Sequence, residues 1–214
     1  MKRKSSIVRA STDHYKKSSK KFPLSGQVIL LIVLVLLVIF VAFFADDIHK
    51  GAKEGAYPQK YSLYVTKYAE KYNVPQYMVY AVIRTESGFD SNAVSGVGAV
   101  GLMQLMPETF TWISNDLLGE RLPASMAYDP ETNIRYGTYL LSRLYSRYGD
   151  WNATLAAYNA GPGRVDGWLK DSRYVDANGK LIPSEISIDE TRNYVAKVQK
   201  SAEEYRQLYE TVSQ

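Results

Sequence analysis

The sequence predicts a mainly α domain preceded by a single N-terminal transmembrane helix, and three observations lead there. From Val28 to Ala45 every residue is apolar, and from Phe22 to Ala45 none is charged, which meets the length criterion for a membrane span. Beyond residue 58 apolar side chains recur at helical spacing almost throughout, and only one short stretch hints at a hairpin. The chain has no cysteine and only two histidines, His14 and His49, both outside the region with a folded-domain pattern.

The N-terminal organisation follows from charge. Residues 1–21 form a basic tail with eight Lys or Arg against Asp13 alone, and Asp46 and Asp47 follow the apolar run at 22–45. A helix of about 22 residues reaches ~33 Å, against a hydrocarbon thickness of ~30 Å. The positive-inside rule then places the tail in the cytoplasm and residues 46–214 on the far side of the membrane, after a single crossing. The alternative is a cleaved signal peptide. Its apolar region is usually shorter and ends at an Ala-x-Ala-like site, whereas Ala42 and Ala45 are three apart, so the run reads as an uncleaved signal-anchor. The lysines of the tail can also hold anionic headgroups. Residues 46–57, short and polar with Gly51 and Gly55, read as a tether, and the domain occupies 58–214.

Within the domain, Pro58 opens a segment with Tyr61, Tyr64, Val65, Tyr68, Ala69 and Tyr72 on one stripe, and Pro75 opens a helix ending near Glu86. Gly88, Gly96, Gly98 and Gly101 interrupt the pattern. Pro107 starts a helix to about Leu117, and Asp129-Pro130 signals a long one through Ile134, Leu141, Leu144 and Tyr148. Asp150 caps the next, which Gly161 ends. Asn178-Gly179 marks the hairpin, and Ser187-Ile188-Asp189-Glu190 reads as a capping box ahead of a long terminal helix through Tyr194, Val195, Val198, Ala202, Tyr205 and Tyr209.

The inventory restricts the chemistry. Without cysteine, and with both histidines outside the domain, Ser-His-Asp triads, Cys-His catalysis and Cys/His zinc sites fall away. No Asp-x-Asp-x-Asp-Gly loop is present, so no metal and no cofactor is expected. Carboxylates, amides, hydroxyls and tyrosines remain. The whole chain has 26 basic and 22 acidic residues, but past residue 45 this becomes 18 against 21, so the folded part is near −3 and carries no nucleic-acid footprint. Glu86 is the informative carboxylate. Ile83, Val82 and Val79 lie three, four and seven positions before it, so it emerges on an apolar stripe where desolvation favours the protonated form. Such a group can protonate a leaving oxygen in glycoside cleavage. The same spacing equally fits a helix-end Glu paired with a nearby Lys or Arg.

Three blocks carry a family resemblance. The first runs from Glu86-Ser87-Gly88-Phe89-Asp90 to Gly98-Ala99-Val100-Gly101-Leu102-Met103-Gln104-Leu105-Met106-Pro107. The second is Ala157-Tyr158-Asn159-Ala160-Gly161-Pro162-Gly163-Arg164-Val165, and the third is Glu190-Thr191-Arg192-Asn193-Tyr194-Val195. Together they resemble the soluble-lytic-transglycosylase-like (SLT) catalytic domain, related in fold to goose-type lysozyme, which cleaves the glycan strands of peptidoglycan. Ile182 to Asp189 is a little longer than the family's usual approach to the third block.

The resemblance implies a lysozyme-like helical domain on a bacterial cell membrane, with peptidoglycan strands as partner. It implies that Glu86 is the single acid/base, cleaving between N-acetylmuramic acid and N-acetylglucosamine and leaving a 1,6-anhydro end. Tyr194 would orient Glu86; Ser87, Gln104, Tyr158 and Asn159 would line the substrate groove, and Met103 would wall it. A lysozyme-like hydrolase would need a second carboxylate, for which Asp90 is nearest in sequence although it also reads as a polar cap. A non-catalytic domain that binds glycan or scaffolds a membrane assembly is the third alternative.

Overall fold

The computed structural model describes residues 25–209; the basic tail expected at 1–21, with its lysines and His14, lies outside the described residues. The chain divides into two compact units, residues 1–48 and 49–214. Helix α1 (Gly26–Ala56) starts in the first and ends in the second; its apolar span Gly26–Ala45, of mean hydropathy 3.6, has its side chains exposed on every face. The helix does not stop at the end of that span. Residues 46–56, read from their glycines as a tether, continue it, because good helix formers surround Gly51 and Gly55, each of which costs only about 1 kcal/mol relative to Ala. Lys53 on this stretch is 2.8 Å from Glu204.

The second unit is built from α2 (Ser62–Tyr72), α3 (Gln76–Glu86), α4 (Pro107–Trp112), α5 (Pro130–Tyr148), α6 (Trp151–Ala160), α7 (Pro162–Trp168) and α8 (Asp189–Tyr209). A π-helical turn, Ile113–Leu117, prolongs α4, and 3₁₀ turns cover Ala124–Tyr128 and Pro183–Glu185. Helix α3 is the centre. Every residue from Met78 to Ile83 is buried, not only the stripe the spacing defines, because α2 covers one side and α8 the other. A helix that is apolar all round belongs inside a core.

Local signals explain most boundaries. Asp129 caps α5 by accepting from the Thr132 N–H at 2.8 Å, and Asp150 caps α6 through the Ala153 N–H at 2.9 Å. Gly149 ends α5 at φ 62°. At α8 the cap is one residue later than expected. The Ile188 carbonyl accepts the first helical bond, from Arg192 N–H at 2.9 Å, so Ile188 rather than Ser187 is the entry residue. The Asn178-Gly179 turn forms with a single bridge, Val175 to Leu181, and no longer strand is present among the described residues.

Two hydrophobic clusters share the domain. The larger gathers α2, α3, α5, α6 and α8; the smaller holds Val100, Leu105, Phe110, Ile113, Ala127 and Tyr136, and Leu140 and Tyr158 pack against both. Between them the chain from Gly88 to Met106 forms a loop folded on itself by the bridges Val94–Val100 and Val100–Leu105. Most tyrosines serve as packing, as their helix stripes indicate. Tyr80 and Tyr205 stack at 5.3 Å, and the Tyr205 and Tyr209 hydroxyls donate to the carbonyls of Pro58 and Tyr57.

Candidate active site

Glu86 is the last residue of α3, where the central helix emerges from the core. Burial raises its carboxyl from an ordinary 4.5 to about 7, and the Tyr194 hydroxyl acts in the opposite, smaller sense. The neutral acid and the carboxylate are therefore both well populated near neutral pH.

Two tyrosines face this carboxyl. Tyr158, near the end of α6, donates its hydroxyl to the Met103 carbonyl at 2.8 Å. Tyr194, on the first turns of α8, is buried, and its hydroxyl has no partner of ordinary hydrogen-bond geometry among the described residues. Its influence on Glu86 is thus that of a close hydroxyl, short of a formed bond. Burial first, then the charge of Glu86, holds both phenols well above their usual range, so both stay protonated as donors.

The glycine-rich loop supplies the floor. Ser87 donates to the Leu102 carbonyl at 2.8 Å and accepts from the Phe89 N–H at 3.2 Å. Gln104 sits at φ 47° and its amide donates to the carbonyls of Gly101 (2.9 Å) and Ala93 (3.1 Å). Phe89, buried at φ 70°, is a second non-glycine residue in the left-handed region, which costs roughly 1–2 kcal/mol per residue. Strain of this kind gathers at functional sites. Asn159 accepts from the Thr191 hydroxyl at 2.7 Å, joining α6 to α8.

The chain is similar to known proteins. The family model "Transglycosylase SLT domain" matches residues 63–179. The chain is 38% identical over 149 residues to the soluble lytic murein transglycosylase of Escherichia coli K12, covering 68% of this chain and 23% of that protein. It is 33% identical over 167 residues to membrane-bound lytic murein transglycosylase C of Serratia proteamaculans, covering 69% and 47%. Among solved structures, an inactive mutant of the lytic transglycosylase Slt from Pseudomonas aeruginosa superposes with a TM-score of 0.66 at 37% identity, over 72% of this chain and 25% of that one. The chain belongs to the transglycosylase SLT domain family. It spans about a quarter of the length of the soluble relatives and about half that of the membrane-bound one.

Within this SLT domain the expected residues separate into groups. Glu86, Tyr158 and Tyr194 come together, while Ser87, Gln104 and Asn159 turn polar groups toward protein partners. Met103, expected as a groove wall, is fully buried. Its side chain packs onto Gly137 of α5, where an added Cβ would come within 2.8 Å of the Met103 Cβ, so it lies beneath the site, and it is its carbonyl that reaches Tyr158. Asp90 is exposed and accepts from the Asn92 N–H at 2.9 Å, the behaviour of a local cap.

The sequence reading missed the residues that hold the SLT loop in place. Buried Asn133 on α5 accepts from the Met103 N–H at 2.7 Å and donates to the carbonyls of Ala127 (2.7 Å) and Val100 (3.0 Å). Gly101 sits against it at φ 78°, where a Cβ would collide with the Asn133 amide and come within 2.6 Å of the Ala127 carbonyl oxygen. The available signal was a polar residue beside Ile134 on an apolar stripe, since buried amides need partners. No cluster of three His, Cys, Asp or Glu side chains able to hold a metal occurs among the described residues.

Proposed function

We propose that this protein is a membrane-anchored peptidoglycan lytic transglycosylase with Glu86 as its sole acid/base. The observation that carries the reading is a carboxyl poised at about 7 beside two tyrosines, Tyr194 buried and Tyr158 half-buried, with Asp90, the nearest acid in sequence, exposed and engaged with its own turn. Ordinary hydrolysis usually needs two carboxyl groups, about 5 Å or about 6.5–9.5 Å apart. A single group suits a route in which the substrate supplies its own nucleophile.

In that route neutral Glu86 gives its proton to the glycosidic oxygen, the bond from that oxygen to the anomeric carbon of N-acetylmuramic acid breaks, and N-acetylglucosamine leaves with a free 4-hydroxyl. The resulting carboxylate takes the proton of the muramic acid 6-hydroxyl as that oxygen bonds to the anomeric carbon. Glu86 ends protonated again, a 1,6-anhydro ring is formed, and no water is consumed. Tyr194 steadies the charge on Glu86 during the turnover, while Tyr158 gives its hydroxyl to the Met103 carbonyl. The names of the relatives, lytic murein transglycosylases, support the same reaction, and the inactive Slt of Pseudomonas aeruginosa, a glutamate-to-glutamine mutant, supports a glutamate at its centre.

The anchor rests on the apolar span Gly26–Ala45, the basic residues that precede it, and the membrane-bound designation of one relative. The domain boundaries proposed are tail 1–21, span 22–45, a largely helical connector 46–57, and SLT domain 58–214. Clearing of a peptidoglycan suspension by the full-length chain tests the reading. Glu86→Gln should lose roughly 10²-fold to 10⁴-fold in rate, and Asp90→Asn should stay within about threefold of wild type; the reverse pattern would favour a hydrolase.

A further inference from the structure

A second concavity lies at the far end of the helix that carries the acid. Glu86 ends α3, whereas a cavity of about 470 Å³ opens where α3 begins, lined by residues that include Glu70, Asn73, Pro75, Gln76, Tyr145 and Trp151. Helix α3 rises about 15 Å between Gln76 and Glu86, so the two places are separate. Sites for small ligands usually enclose about 300–1,000 Å³, and this cavity is within that range.

Its two walls differ. One is apolar and fixed: the rings of Tyr145 and Trp151 pack with centroids 4.4 Å apart, and Trp151 packs in turn on the larger core cluster. The other wall is polar. Among the described residues the Glu70 and Asn73 side chains have no hydrogen bond or ion pair. Gln76 accepts from the Thr66 hydroxyl at 3.2 Å, which leaves its amide nitrogen free to donate. Glu70 is the only charged residue in the lining, so the site disfavours anions. A carboxylate and two amides together ask for hydroxyl groups, which donate to the first and both donate to and accept from the second. An aromatic pair beside them suits an apolar C–H face on the same ligand. A neutral molecule with several hydroxyls and one apolar face is a pyranose.

We infer that this cavity is a second sugar-binding site, which holds a neutral pyranose of the N-acetylglucosamine type without cutting it. That the sugar belongs to peptidoglycan rests on the proposed function; the binding itself makes no use of Glu86. Because the two sites occupy opposite ends of α3, the grip at one is independent of the cut at the other. A second grip raises the effective concentration of wall at the acid and so favours repeated cutting over release.

Isothermal titration calorimetry on the full-length chain in detergent tests this, with chitotetraose, the tetramer of N-acetylglucosamine, as the probe. It lacks the muramic acid linkage, so binding is read without turnover. Glu70→Ala combined with Gln76→Ala should weaken one binding event per chain about tenfold or more relative to wild type. Tyr145→Ala, on the opposite wall, should weaken the same event, and Glu86→Gln should leave it intact. Glu70 and Tyr145 are both exposed, so these variants keep the fold, which an unchanged unfolding temperature verifies. Binding that is the same in wild type and in both wall variants, or an event lost in Glu86→Gln, would overturn the inference. Strand fragments without anhydro ends, together with the loss in the wall variants, would overturn the proposed reaction and leave the sugar site standing.

Discussion

Asn133 holds Met103 by its backbone: the side-chain oxygen on α5 accepts the Met103 N–H at 2.7 Å, thirty residues away in sequence. The same amide donates to Val100 and Ala127, so one buried side chain fixes two points of the loop whose carbonyl at Met103 receives Tyr158 and ties them to the 3₁₀ turn at Ala127. Removing the amide leaves those buried groups unpaired, at about 1–3 kcal/mol for each group that water does not reach. Asn133→Ala should destabilise the domain by roughly 3 kcal/mol, read by denaturant unfolding. Activity should fall with it, because Tyr158 loses the fixed position of its acceptor.

Gly137 is expected to reverse the usual sign of a glycine-to-alanine exchange. In an exposed helix interior Gly→Ala stabilises by about 1 kcal/mol. Here the new Cβ would meet buried Met103 at 2.8 Å, and overpacking costs roughly 1–3 kcal/mol. Gly137→Ala should therefore lower the denaturant midpoint, and combined with Met103→Ala, which removes the sulfur and terminal methyl from the same place, its cost should be less than additive.

How much was legible in the sequence depended on how local the signal was. Helices α5 and α6 announced themselves through Asp129, Asp150 and their proline or glycine partners, because a cap is a bond between near neighbours. Glu86 was legible as an acid on an apolar stripe, though spacing alone could not separate it from an ion-paired residue; burial by α8, far away in the chain, decided that. Met103 was misread for the same reason, since its neighbour Gly137 is thirty-four residues on and nothing in the loop reveals it. Gly51 and Gly55 signal a break in the connector that does not occur, because the flanking Ala, Lys and Glu sustain the helix.

The raised value for Glu86 has a consequence for stability. Below about pH 4.5 the carboxyl is protonated in folded and unfolded states alike, so its burial carries no ionisation penalty. Between 4.5 and about 7 the unfolded chain ionises first and the penalty grows, reaching about 3 kcal/mol at most above that window. Glu86→Gln removes it. The variant should be about 1–3 kcal/mol more stable than wild type at pH 8, and no more stable near pH 4; a gain that is equal at both pH values would contradict the buried acid.

Tyr194→Phe separates positioning from packing. The hydroxyl lowers the Glu86 value, so its removal should move the alkaline limb of the rate profile to higher pH. Loss of one weak donor is worth about 1 kcal/mol, or roughly fivefold in rate. A lower rate with an unmoved limb would assign Tyr194 to packing alone.

The central claim is that one carboxyl, without water as nucleophile, cuts the strand. The most direct test is mass spectrometry of the fragments released from purified peptidoglycan by the full-length chain, run in ¹⁸O-labelled water with Glu86→Gln alongside. The account predicts anhydro-ended fragments, one water lighter than reducing ends, with no ¹⁸O at the new end and none of them released by the variant. Reducing ends carrying ¹⁸O would contradict it and would point instead to hydrolysis.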